Sequence, residues 1–476
     1  MNILLLIPPA SLGSSYGGLK EFSNPQPSIG LAYIASVLRH NGFTVSVLDA
    51  YVKQLSITEI MDQIKLRGTD VIGISLLTTS VDVVTELVKN IRQKEPGVKI
   101  AFGNIHASLF CENILEENLA DFVVHREGEH SFLELVQTLD SGADLQKVKG
   151  ISYVENGQVV HTGKRAFIDD LDNLTFPAWD LFPLISYRTD PRTEIIPGET
   201  EMQILATRGC PYACTFCSSR TERCLGSRYR MRSPDNIVDE MEYMHERYQT
   251  KVFSFMDLAF PLKKAHGMAV CREMIDRGIN RKVVWCTECR VKPIDYEMLT
   301  AMRAAGCVRV NFGIESGTNK ILKVLKKGFT VDDVRRAVSL SKKTGIEVDG
   351  MFMMGLPTET EKDIRTTIDF AIELKVRFAI FNIFVPYPGC ELYDKLKAED
   401  SISFKSWSDF TSYPTYTDRK PIYVPDSLTQ YQLMKLQKYA MKRFYFRPRF
   451  IWEEMKRLKF NQVDKYWRGL LGLVSG

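Results

Sequence analysis

The sequence predicts an α/β protein with a doubly wound, Rossmann-like domain, a partial (β/α)6 barrel and a helical C-terminal segment. Three observations carry this prediction. Residues 1–145 alternate short apolar runs with amphipathic helical patterns, which is typical of a parallel sheet covered on both faces. Residues 200–395 repeat a strand–helix pattern, as (β/α) barrels do. Residues 396–476 have apolar spacing of the helical kind.

Size, charge and cysteine usage narrow the class of protein. The chain has 476 residues, and its formal net charge of +4 is too small to indicate a nucleic-acid partner. Its 10 cysteines lie mostly inside apolar runs, as in reduced intracellular proteins. No apolar stretch is long enough for a spanning helix, and the first residues lack the cationic start of a secretory signal. We therefore expect a cytoplasmic protein.

The first domain is predicted from apolar runs bounded by turn residues. The predicted strands are Ile3–Ile7, Thr44–Leu48, Val71–Ser75, Lys99–Phe102 and Phe122–Val124. The predicted helices are Ser28–Asn41, Ile57–Leu66, Val81–Lys94 and Glu129–Leu139. Sheets of this kind bind ligands in the crevice outside the carboxyl ends of their strands.

Candidate ligand-binding residues lie in the loops at those carboxyl ends. They are Pro9, Ser75, Leu77, Gly103, His106, Gly128 and Glu129. Small residues here would let a bulky planar ligand approach the backbone closely. No G-x-G-x-x-G run opens the first helix, which disfavours a dinucleotide. A domain that binds another nucleotide, or binds nothing, stays open as an alternative.

A connector and a barrel follow. Residues 146–199 form the connector and include a small hairpin with Asn156-Gly157 as its turn. The predicted barrel strands are Met202–Ala206, Lys251–Met256, Val283–Thr287, Arg309–Ile314, Glu347–Met354 and Phe378–Val385. The active site of such a barrel is expected at the carboxyl ends of these strands. Helices are predicted over Ser427–Phe444 and Trp452–Phe460.

The most informative run is Thr207–Cys217, because it places three thiols in one short loop. Cys210, Cys214 and Cys217 follow a C-x3-C-x2-C spacing. Thiolates bind iron–sulfur clusters, zinc or Cu(I). Three ligands would leave one iron of a [4Fe–4S] cluster open, whereas structural zinc needs a fourth ligand. Cys224 lies near enough in sequence to keep the zinc alternative open.

A second cysteine pair is a poorer candidate for metal binding. Cys286 and Cys289 form a C-x2-C run on a predicted strand. Positions i and i+3 of a strand point to opposite faces, so the two thiols are not expected to share a metal.

The loop with Cys210, Cys214 and Cys217, and with Phe216 directly before the last cysteine, resembles the radical S-adenosylmethionine (SAM) superfamily. The resemblance implies that these cysteines are the catalytic and metal-binding residues. They would hold a [4Fe–4S] cluster whose open iron binds SAM. An electron from the cluster would then cleave SAM to a 5′-deoxyadenosyl radical.

The loops of the first domain resemble the cobalamin-binding domain found ahead of many radical SAM modules. Ser75, Leu77 and Gly103 correspond to its tail-binding loops. The D-x-H-x-x-G run that supplies a cobalt ligand in other cobalamin proteins is absent, so base-off cobalamin without a His ligand is implied. His106 is a candidate corrin contact, with an ordinary solvated histidine as the alternative.

The same resemblance implies SAM-binding residues at the ends of the barrel strands. They are Phe216, Asp257, Arg290, Glu315, Ser316, Gly355 and Asn382. Asp257 stands where the family often has Gly-Gly-Glu, and a carboxylate there can pair with the SAM ammonium group. Arg290 would hold a carboxylate, or it would form a surface ion pair.

The implied activity is functionalisation of an unactivated carbon in a small molecule, with methyl transfer favoured. A radical cyclase or rearrangement enzyme is the second alternative, and a non-catalytic cobalamin sensor or carrier is the third. The implied partners are a small-molecule substrate and a low-potential electron donor such as flavodoxin or ferredoxin.

The tail is rich in basic and aromatic residues. Tyr445–Arg449 resembles the tail of anaerobic magnesium-protoporphyrin monomethyl ester cyclase-like members of the family. A helical lid or dimer surface is favoured over contact with a membrane surface.

Overall fold

The computed structural model of the chain describes residues 1–9, 25–187, 195–196, 198–219, 221 and 226–457. Cys224 and the last residues of the helix predicted to reach Phe460 lie outside the described residues. The described part contains a 7-stranded sheet near the N-terminus, a 6-stranded sheet in the second half and a short 2-stranded ladder between them. The domain limits drawn from the sequence stay a prediction.

The first sheet has its strands in the order β2-β1-β3-β4-β5-β6-β7. The strands are β1 Asn2–Ile7, β2 Thr44–Asp49, β3 Val71–Ser75, β4 Lys99–Gly103, β5 Phe122–Val124, β6 Ile151–Glu155 and β7 Gln158–His161. Strands β1 to β5 pair in parallel, as predicted. Ile3 and Leu5 of β1 belong to one buried core and Leu4 and Leu6 to the other, because side chains alternate along a strand. Both faces are therefore covered.

The described part of the first domain contains six α-helices. They are α1 Ile29–His40, α2 Ile57–Leu66, α3 Val81–Lys94, α4 Asn104–Leu109, α5 Cys111–Glu116 and α6 Gly128–Ser141. The Ser28 side chain accepts a hydrogen bond from the amide of Leu31, and Ser56 forms a capping box with Glu59. One prediction was wrong: Gly103–Ser108 is not a loop, because α4 starts at Asn104.

The hairpin of the predicted connector belongs to the first sheet. Asn156 and Gly157 have φ angles of 51° and 77°, as a two-residue type I′ turn requires. Strand β6 pairs antiparallel with β5, and β7 pairs antiparallel with β6. The sheet is therefore mixed at this edge, where the sequence predicted only parallel strands.

The second sheet is wholly parallel, with the order β15-β14-β13-β12-β11-β8. Its strands are β8 Glu201–Ile204, β11 Val252–Phe255, β12 Val284–Cys289, β13 Cys307–Glu315, β14 Glu347–Met354 and β15 Ala379–Ile383. Each of the six agrees with a predicted strand to within a few residues. The short ladder is formed by β9 Thr207–Arg208 and β10 Arg230–Met231. The sheet is an open, partial barrel, as predicted.

Helices cover the outside of the second sheet and continue into the tail. They are α7 Pro234–Tyr248, α8 Lys264–Asp276, α9 Tyr296–Ala304, α10 Asn319–Val324, α11 Val331–Lys343, α12 Glu361–Glu373, α13 Glu391–Ala398, α14 Gln430–Tyr445 and α15 Pro448–Arg457. Helix α14 buries Leu433, Leu436, Ala440 and Phe444, and the side-chain amide of Gln437 donates to the carbonyl of Phe381 at 2.9 Å. The tail therefore packs on the last strand of the barrel.

The segment between α13 and α14 contacts both domains. Its secondary structure is limited to the single helical turns Trp407–Asp409 and Pro414–Tyr416, so the prediction of a largely helical tail was wrong here. The backbone amide of Ser408 donates to Asp82 of α3 at 3.0 Å. The Trp407 ring packs against His106 and Phe110, at centroid distances of 4.7 and 5.0 Å.

None of the described helices is both long and apolar enough to cross a bilayer.

Candidate active site between the two sheets

A cavity of about 480 Å³ lies where the carboxyl ends of the two sheets meet. Ser75, Gly103 and Gly128 line it from the first domain, and Thr207 and Met256 line it from the second. Loops at the ends of parallel strands are where α/β sheets and barrels bind their ligands. The cavity therefore lies between the strand-end loops of the first domain and those of the barrel, the two regions where the sequence predicted binding residues.

The first-domain wall of the cavity is suited to a bulky ligand. Of the predicted cobalamin-binding residues, Ser75, Gly103, Gly128 and Glu129 line it. A Cβ atom on Gly128 would stand 2.9 Å from Cδ1 of Ile34, so a larger side chain would crowd this wall. The lining also includes Leu5, Ile34 and Phe132, so apolar surface faces the cavity floor. A wide cleft with small residues at its mouth fits the tail of a corrinoid.

Three of the predicted cobalamin contacts lie outside this lining. Pro9 is buried, and Leu77 is 51% exposed at the start of the turn after β3. His106 is buried, and its Nδ1 lies 3.1 Å from the hydroxyl of Thr78. Burial lowers the pKa of His106 to about 4, so its ring is neutral at neutral pH. The structure therefore makes His106 a packed residue on α4, against Trp407.

The cysteine loop is held at both ends by backbone hydrogen bonds. The amide of Cys210 donates to the carbonyl of Gly226 at 3.2 Å, and the amide of Cys217 donates to the carbonyl of Cys214 at 3.2 Å. Gly209 has a φ of 84°, and a Cβ atom there would stand 2.1 Å from the carbonyl oxygen of Arg228. Only glycine can occupy this position beside the first cysteine.

The middle of the loop is fixed to the barrel by one residue. The amide and hydroxyl of Thr215 donate to the carbonyls of Leu325 and Val324, each at 3.2 Å. The carbonyl of Thr215 accepts from the amide of Leu392 at 2.9 Å. Phe216 then packs with the buried cluster that includes Ile321 and Phe384.

The three thiols of Cys210, Cys214 and Cys217 share one region but do not surround a single point. Among the described residues, only one group of three potential ligands has all its ligand atoms within 4.8 Å of one another, and these cysteines are not in it. A tetrahedral zinc site holds its thiolates about 3.8 Å apart. A cubane ligated at separate corners holds them farther apart. The assignment of a cluster therefore rests on the C-x3-C-x2-C spacing in the sequence and not on these distances.

Arg290 places a positive charge beside these thiols. Its Nη1 lies 3.4 Å from Sγ of Cys214, and its guanidinium stacks on the ring of Tyr212 at 3.6 Å. A second nitrogen donates to the carbonyl of Lys327. Burial raises the pKa of the Cys210 thiol, and the Arg290 charge partly opposes that rise. Arg290 is thus not a surface ion pair but a buried group that favours thiolates.

Asp257 lies beneath the start of the cysteine loop. One carboxylate oxygen accepts from the amide of Ala206 at 3.1 Å, and the other accepts from the hydroxyl of Thr207. Burial raises the pKa of Asp257 to about 7. Both oxygens therefore support the loop, and the predicted contact with the SAM ammonium group stays a prediction.

The end of β13 carries a buried ion pair. Glu315 has a φ of 68°, and its Oε1 lies 3.0 Å from Nζ of Lys327. The hydroxyl of Ser316 is 3.2 Å from that of Thr367 and accepts from the amide of Thr318, also at 3.2 Å. Ser316 thus holds the bend, while Glu315 carries the charge.

Gly355 and Asn382 end the next two strands. The amide of Gly355 donates to Glu359 at 2.7 Å, so its backbone is engaged inside the protein. Asn382 is half-buried on β15, and its Oδ1 has no hydrogen-bond partner among the described atoms. A buried amide oxygen without a partner is costly and suits a site that receives a ligand.

A buried ion network joins the cysteine loop to the cobalamin loop, and the sequence did not reveal it. Arg208 contacts Glu127 at 3.1 Å and Glu129 at 2.6 Å, and Arg230 contacts Glu127 at 2.8 Å. The four side chains are at most 8% exposed. Two cations balance two carboxylates, so the network is neutral. The feature of the sequence that could have indicated this network is the position of Arg208 directly before Gly209 and Cys210.

The thiols of the second cysteine pair, Cys286 and Cys289, contact different partners. Sγ of Cys286 lies 3.4 Å from the hydroxyl of Ser254, whereas Sγ of Cys289 donates to the carbonyl of Phe260 at 2.9 Å. The two thiols have separate partners, as the strand geometry predicts.

Comparison with known proteins gives two family matches. A model described as the radical SAM superfamily matches residues 204–371, and one described as a B12 binding domain matches residues 18–136. An uncharacterised methyltransferase of Pyrococcus horikoshii is 30% identical over 99% of this chain and 98% of its own. An anaerobic magnesium-protoporphyrin IX monomethyl ester cyclase of Rubrivivax gelatinosus is 27% identical over 99% of this chain and 82% of its own.

A solved structure has a similar fold. It is the radical SAM methyltransferase TsrM from Kitasatospora setae, with cobalamin and a [4Fe–4S] cluster bound. Its TM-score is 0.67 at 22% identity, covering 84% of this chain and 75% of that one.

The fold, the cavity and these matches define the class of protein, which is a cobalamin-dependent radical SAM enzyme. The chain belongs to the cobalamin-binding radical SAM family. The cofactors of this class are SAM, a [4Fe–4S] cluster and cobalamin, so the predicted family, fold class and cofactors are confirmed. The alternative of a non-catalytic sensor is not supported.

Proposed function

We propose that this enzyme transfers a methyl group from SAM to an unactivated carbon of a small molecule. One observation carries the proposal: a single cavity is lined by Ser75, Gly103 and Gly128 of the cobalamin-binding sheet and by Thr207 and Met256 of the barrel. A methyl carrier and a radical source must act on the same substrate carbon, so their sites must open into one space. The relative from Pyrococcus horikoshii, named a methyltransferase, supports this reading.

The residues around the cavity would have different roles according to their position. We assign the cluster to Cys210, Cys214 and Cys217, with Arg290 supplying positive charge 3.4 Å from Cys214. When bound, the cluster supplies the electron that cleaves SAM to a 5′-deoxyadenosyl radical, and cobalamin carries the methyl group. Asp257 would support the loop from below through Ala206 and Thr207.

The SAM site would be completed at the far strands. Glu315 ends β13 in an ion pair with Lys327, and Asn382 lies near the end of β15 with an amide oxygen that has no partner among the described atoms. Both would contact the amino, carboxylate or ribose groups of SAM. Ser316 and Gly355 would shape the SAM site without contacting its polar groups, because the Ser316 hydroxyl and the Gly355 amide are bonded within the protein. Phe216 would support the cluster by packing. Ser75, Gly103, Gly128 and Glu129 would line the cobalamin site.

The atoms and electrons of the reaction balance when two molecules of SAM are used in different roles. One molecule gives its methyl group and leaves as S-adenosylhomocysteine. Another takes one electron and becomes methionine and a radical, which removes a hydrogen atom from the substrate and leaves as 5′-deoxyadenosine. A low-potential donor, which we propose is a flavodoxin or ferredoxin, supplies this electron and one more to restore the methyl carrier.

The test uses the reconstituted enzyme, a low-potential reductant, SAM labelled in its methyl group and a small-molecule extract of the source cell. We expect S-adenosylhomocysteine and 5′-deoxyadenosine in about equal amounts, with the label in a new small molecule. Absence of 5′-deoxyadenosine would overturn the radical mechanism. Cys214→Ala protein is the matched control.

A radical cyclase is the second candidate function. The similarity to the Rubrivivax gelatinosus cyclase, over 82% of that protein, is the observation that favours it. In the same experiment a cyclase gives 5′-deoxyadenosine and an altered product without label. Label in the product excludes it.

A further inference from the structure

A second group of potential metal ligands lies in the first domain, away from the cavity. It consists of Cys111, His125 and His161, whose ligand atoms all lie within 4.8 Å of one another. Cys111 is the first residue of α5, His125 directly follows β5, and His161 is the last residue of β7. None of the three lines the active-site cavity described above. The topology thus brings three chain segments together at the antiparallel edge of the sheet.

The contacts within this group are short. Sγ of Cys111 lies 3.9 Å from Nε2 of His125. The hydroxyl of Ser152, fully buried on β6, lies 2.8 Å from Nε2 of His125 and 2.8 Å from Nδ1 of His161. In a tetrahedral zinc site, Zn–S bonds of about 2.3 Å and Zn–N bonds of about 2.0–2.1 Å hold such atoms about 3.3–3.6 Å apart. Shifts below about 1 Å would bring the group to that geometry.

The donor set restricts the metal to ions that bind both thiolate and imidazole, chiefly Zn²⁺ and copper. One thiolate with two imidazoles is a combination that suits Zn²⁺, and three protein ligands leave a fourth position for water. Cys111 is 2% exposed, while the His161 side chain is 50% exposed, so an ion has a path from solvent.

Glu112 supplies the outer contact that metal-binding histidines usually have. Its Oε1 lies 3.5 Å from Nε2 of His161, while Nδ1 of the same ring lies 2.8 Å from the hydroxyl of Ser152. A carboxylate on the far nitrogen fixes the ring and raises its basicity toward a metal. Glu112 therefore contacts one ring nitrogen of His161 and leaves the other for a metal, so the arrangement is more than a cluster of polar residues.

We propose that Cys111, His125 and His161 bind one Zn²⁺ ion whose fourth ligand is water, with Glu112 as a positioning residue. The ion would hold α5, the end of β5 and the β6–β7 hairpin to one another. Its effect would reach the active site through the chain, since His125 is followed directly by Arg126–Glu129, and these residues line the cavity. The site would serve to keep the cobalamin loop in place.

Zinc content of the full chain tests the proposal. Protein is loaded with Zn²⁺ without oxygen, desalted and measured by elemental analysis and zinc K-edge absorption, which iron and cobalt do not obscure. We expect about one zinc per chain, with one sulfur at about 2.3 Å and nitrogens at about 2.0–2.1 Å. His161→Ala alters a half-exposed side chain and should lose the ion without unfolding. Cys111→Ala should do the same, and His130→Ala, an exposed histidine of α6, should keep it.

The cluster cysteines require their own control, because empty cluster sites also take up zinc. A variant with Cys210, Cys214 and Cys217 all changed to alanine should still hold the ion. Glu112→Gln should weaken zinc affinity by about 10–100-fold, while Glu116→Gln on the same helix should leave it unchanged. Zinc that survives both Cys111→Ala and His161→Ala, or no zinc in any variant, would mean that this group is an ordinary hydrogen-bond chain through Ser152.

Discussion

At the scale of single residues, the site depends on how each polar group is already engaged. Cys210, Cys214 and Cys217 keep their thiols available, because the loop is held by its backbone and by Thr215. Arg290 and Asp257, both expected to meet SAM, are bonded to the cysteine loop, and their contacts with SAM stay predictions. Residue types at strand ends could therefore be found in the sequence, but their partners could not.

Loss of one cluster ligand should reduce SAM cleavage and leave cobalamin binding intact. We expect Cys214→Ala to reduce SAM cleavage by more than about 100-fold, since weaker outer-shell changes at metal sites already cost up to that. Cobalamin binding should persist, because the cavity wall of the first domain is unchanged. Chromatography of 5′-deoxyadenosine and cobalt analysis check both. Cys271→Ala, a buried cysteine of α8, should retain cleavage. Simultaneous loss of cobalt in Cys214→Ala would contradict the prediction.

The buried carboxyl of Asp257 should make stability depend on pH. Burial raises its pKa from 3.8 to about 7, so the folded state holds the proton more tightly than the unfolded state. This contribution is complete below about pH 4 and is lost as pH rises through about 7, a change on the order of 4 kcal/mol.

Thermal unfolding of wild-type protein and Asp257→Asn between pH 4 and 8 measures this contribution. The variant should show a flatter profile, while Asp62→Asn, an exposed aspartate of α2, should follow the wild type. Parallel profiles for wild type and Asp257→Asn would show that another group carries the pH dependence.

At the scale of elements, strands were predictable and connections were not. Buried apolar runs such as Val71–Ser75 and Glu347–Met354 have the same bounds in the sequence prediction and the structure. Helix α4 was missed because Asn104–Leu109 is short and has no repeated apolar spacing. The hairpin was predicted from its Asn-Gly turn, but its pairing with β5 depends on the tertiary structure and has no local sequence pattern. The Arg208–Glu127 contact joins residues separated by 81 positions, beyond any local pattern.

The buried ion network should hold the two cofactor loops together. Glu127 accepts from Arg208, from Arg230 and from the amide of Ile168 at 2.8 Å. Glu127→Gln leaves buried cations without full compensation, at a cost of about 3–5 kcal/mol. The midpoint of thermal unfolding should fall by roughly 3–5 °C, and cobalamin should dissociate more readily.

Asp169→Asn is the matched control for this change. Asp169 pairs with Arg228 in the same region, but both side chains are more than 60% exposed, so the pair contributes below about 1 kcal/mol. Equal effects of the two variants would show that burial is not what gives the network its strength.

At the scale of the whole molecule, the cavity between the two sheets depends on the contacts that hold the two domains together. The segment after α13 contributes through Ser408, which donates to Asp82, and through Trp407, which packs on α4. The sequence predicted both sheets and the order of the domains, but it gave no sign that the tail contacts the first domain. Such contacts arise from the folded arrangement and have no local periodicity.

Removal of the Trp407 ring should loosen this connection. We expect Trp407→Ala to destabilise the protein by about 2 kcal/mol, less than a fully buried tryptophan because the ring is half-buried. Hydrogen exchange should rise in Asn104–Leu109, the helix under the ring. Tyr431→Ala, which removes a 72% exposed ring of α14, should change neither quantity. Unaltered exchange in α4 would mean that the tail contact does not order the first domain.

The left-handed turn at Gly209 has a consequence for how this loop can vary. The carbonyl of Arg228 occupies the space that any β-carbon would need, so the restriction comes from backbone and cannot be relieved by repacking neighbours. If every codon from 207 to 217 were randomised and survivors selected for iron content, position 209 should return a single amino acid. The exposed Pro211 beside the first cysteine should return many.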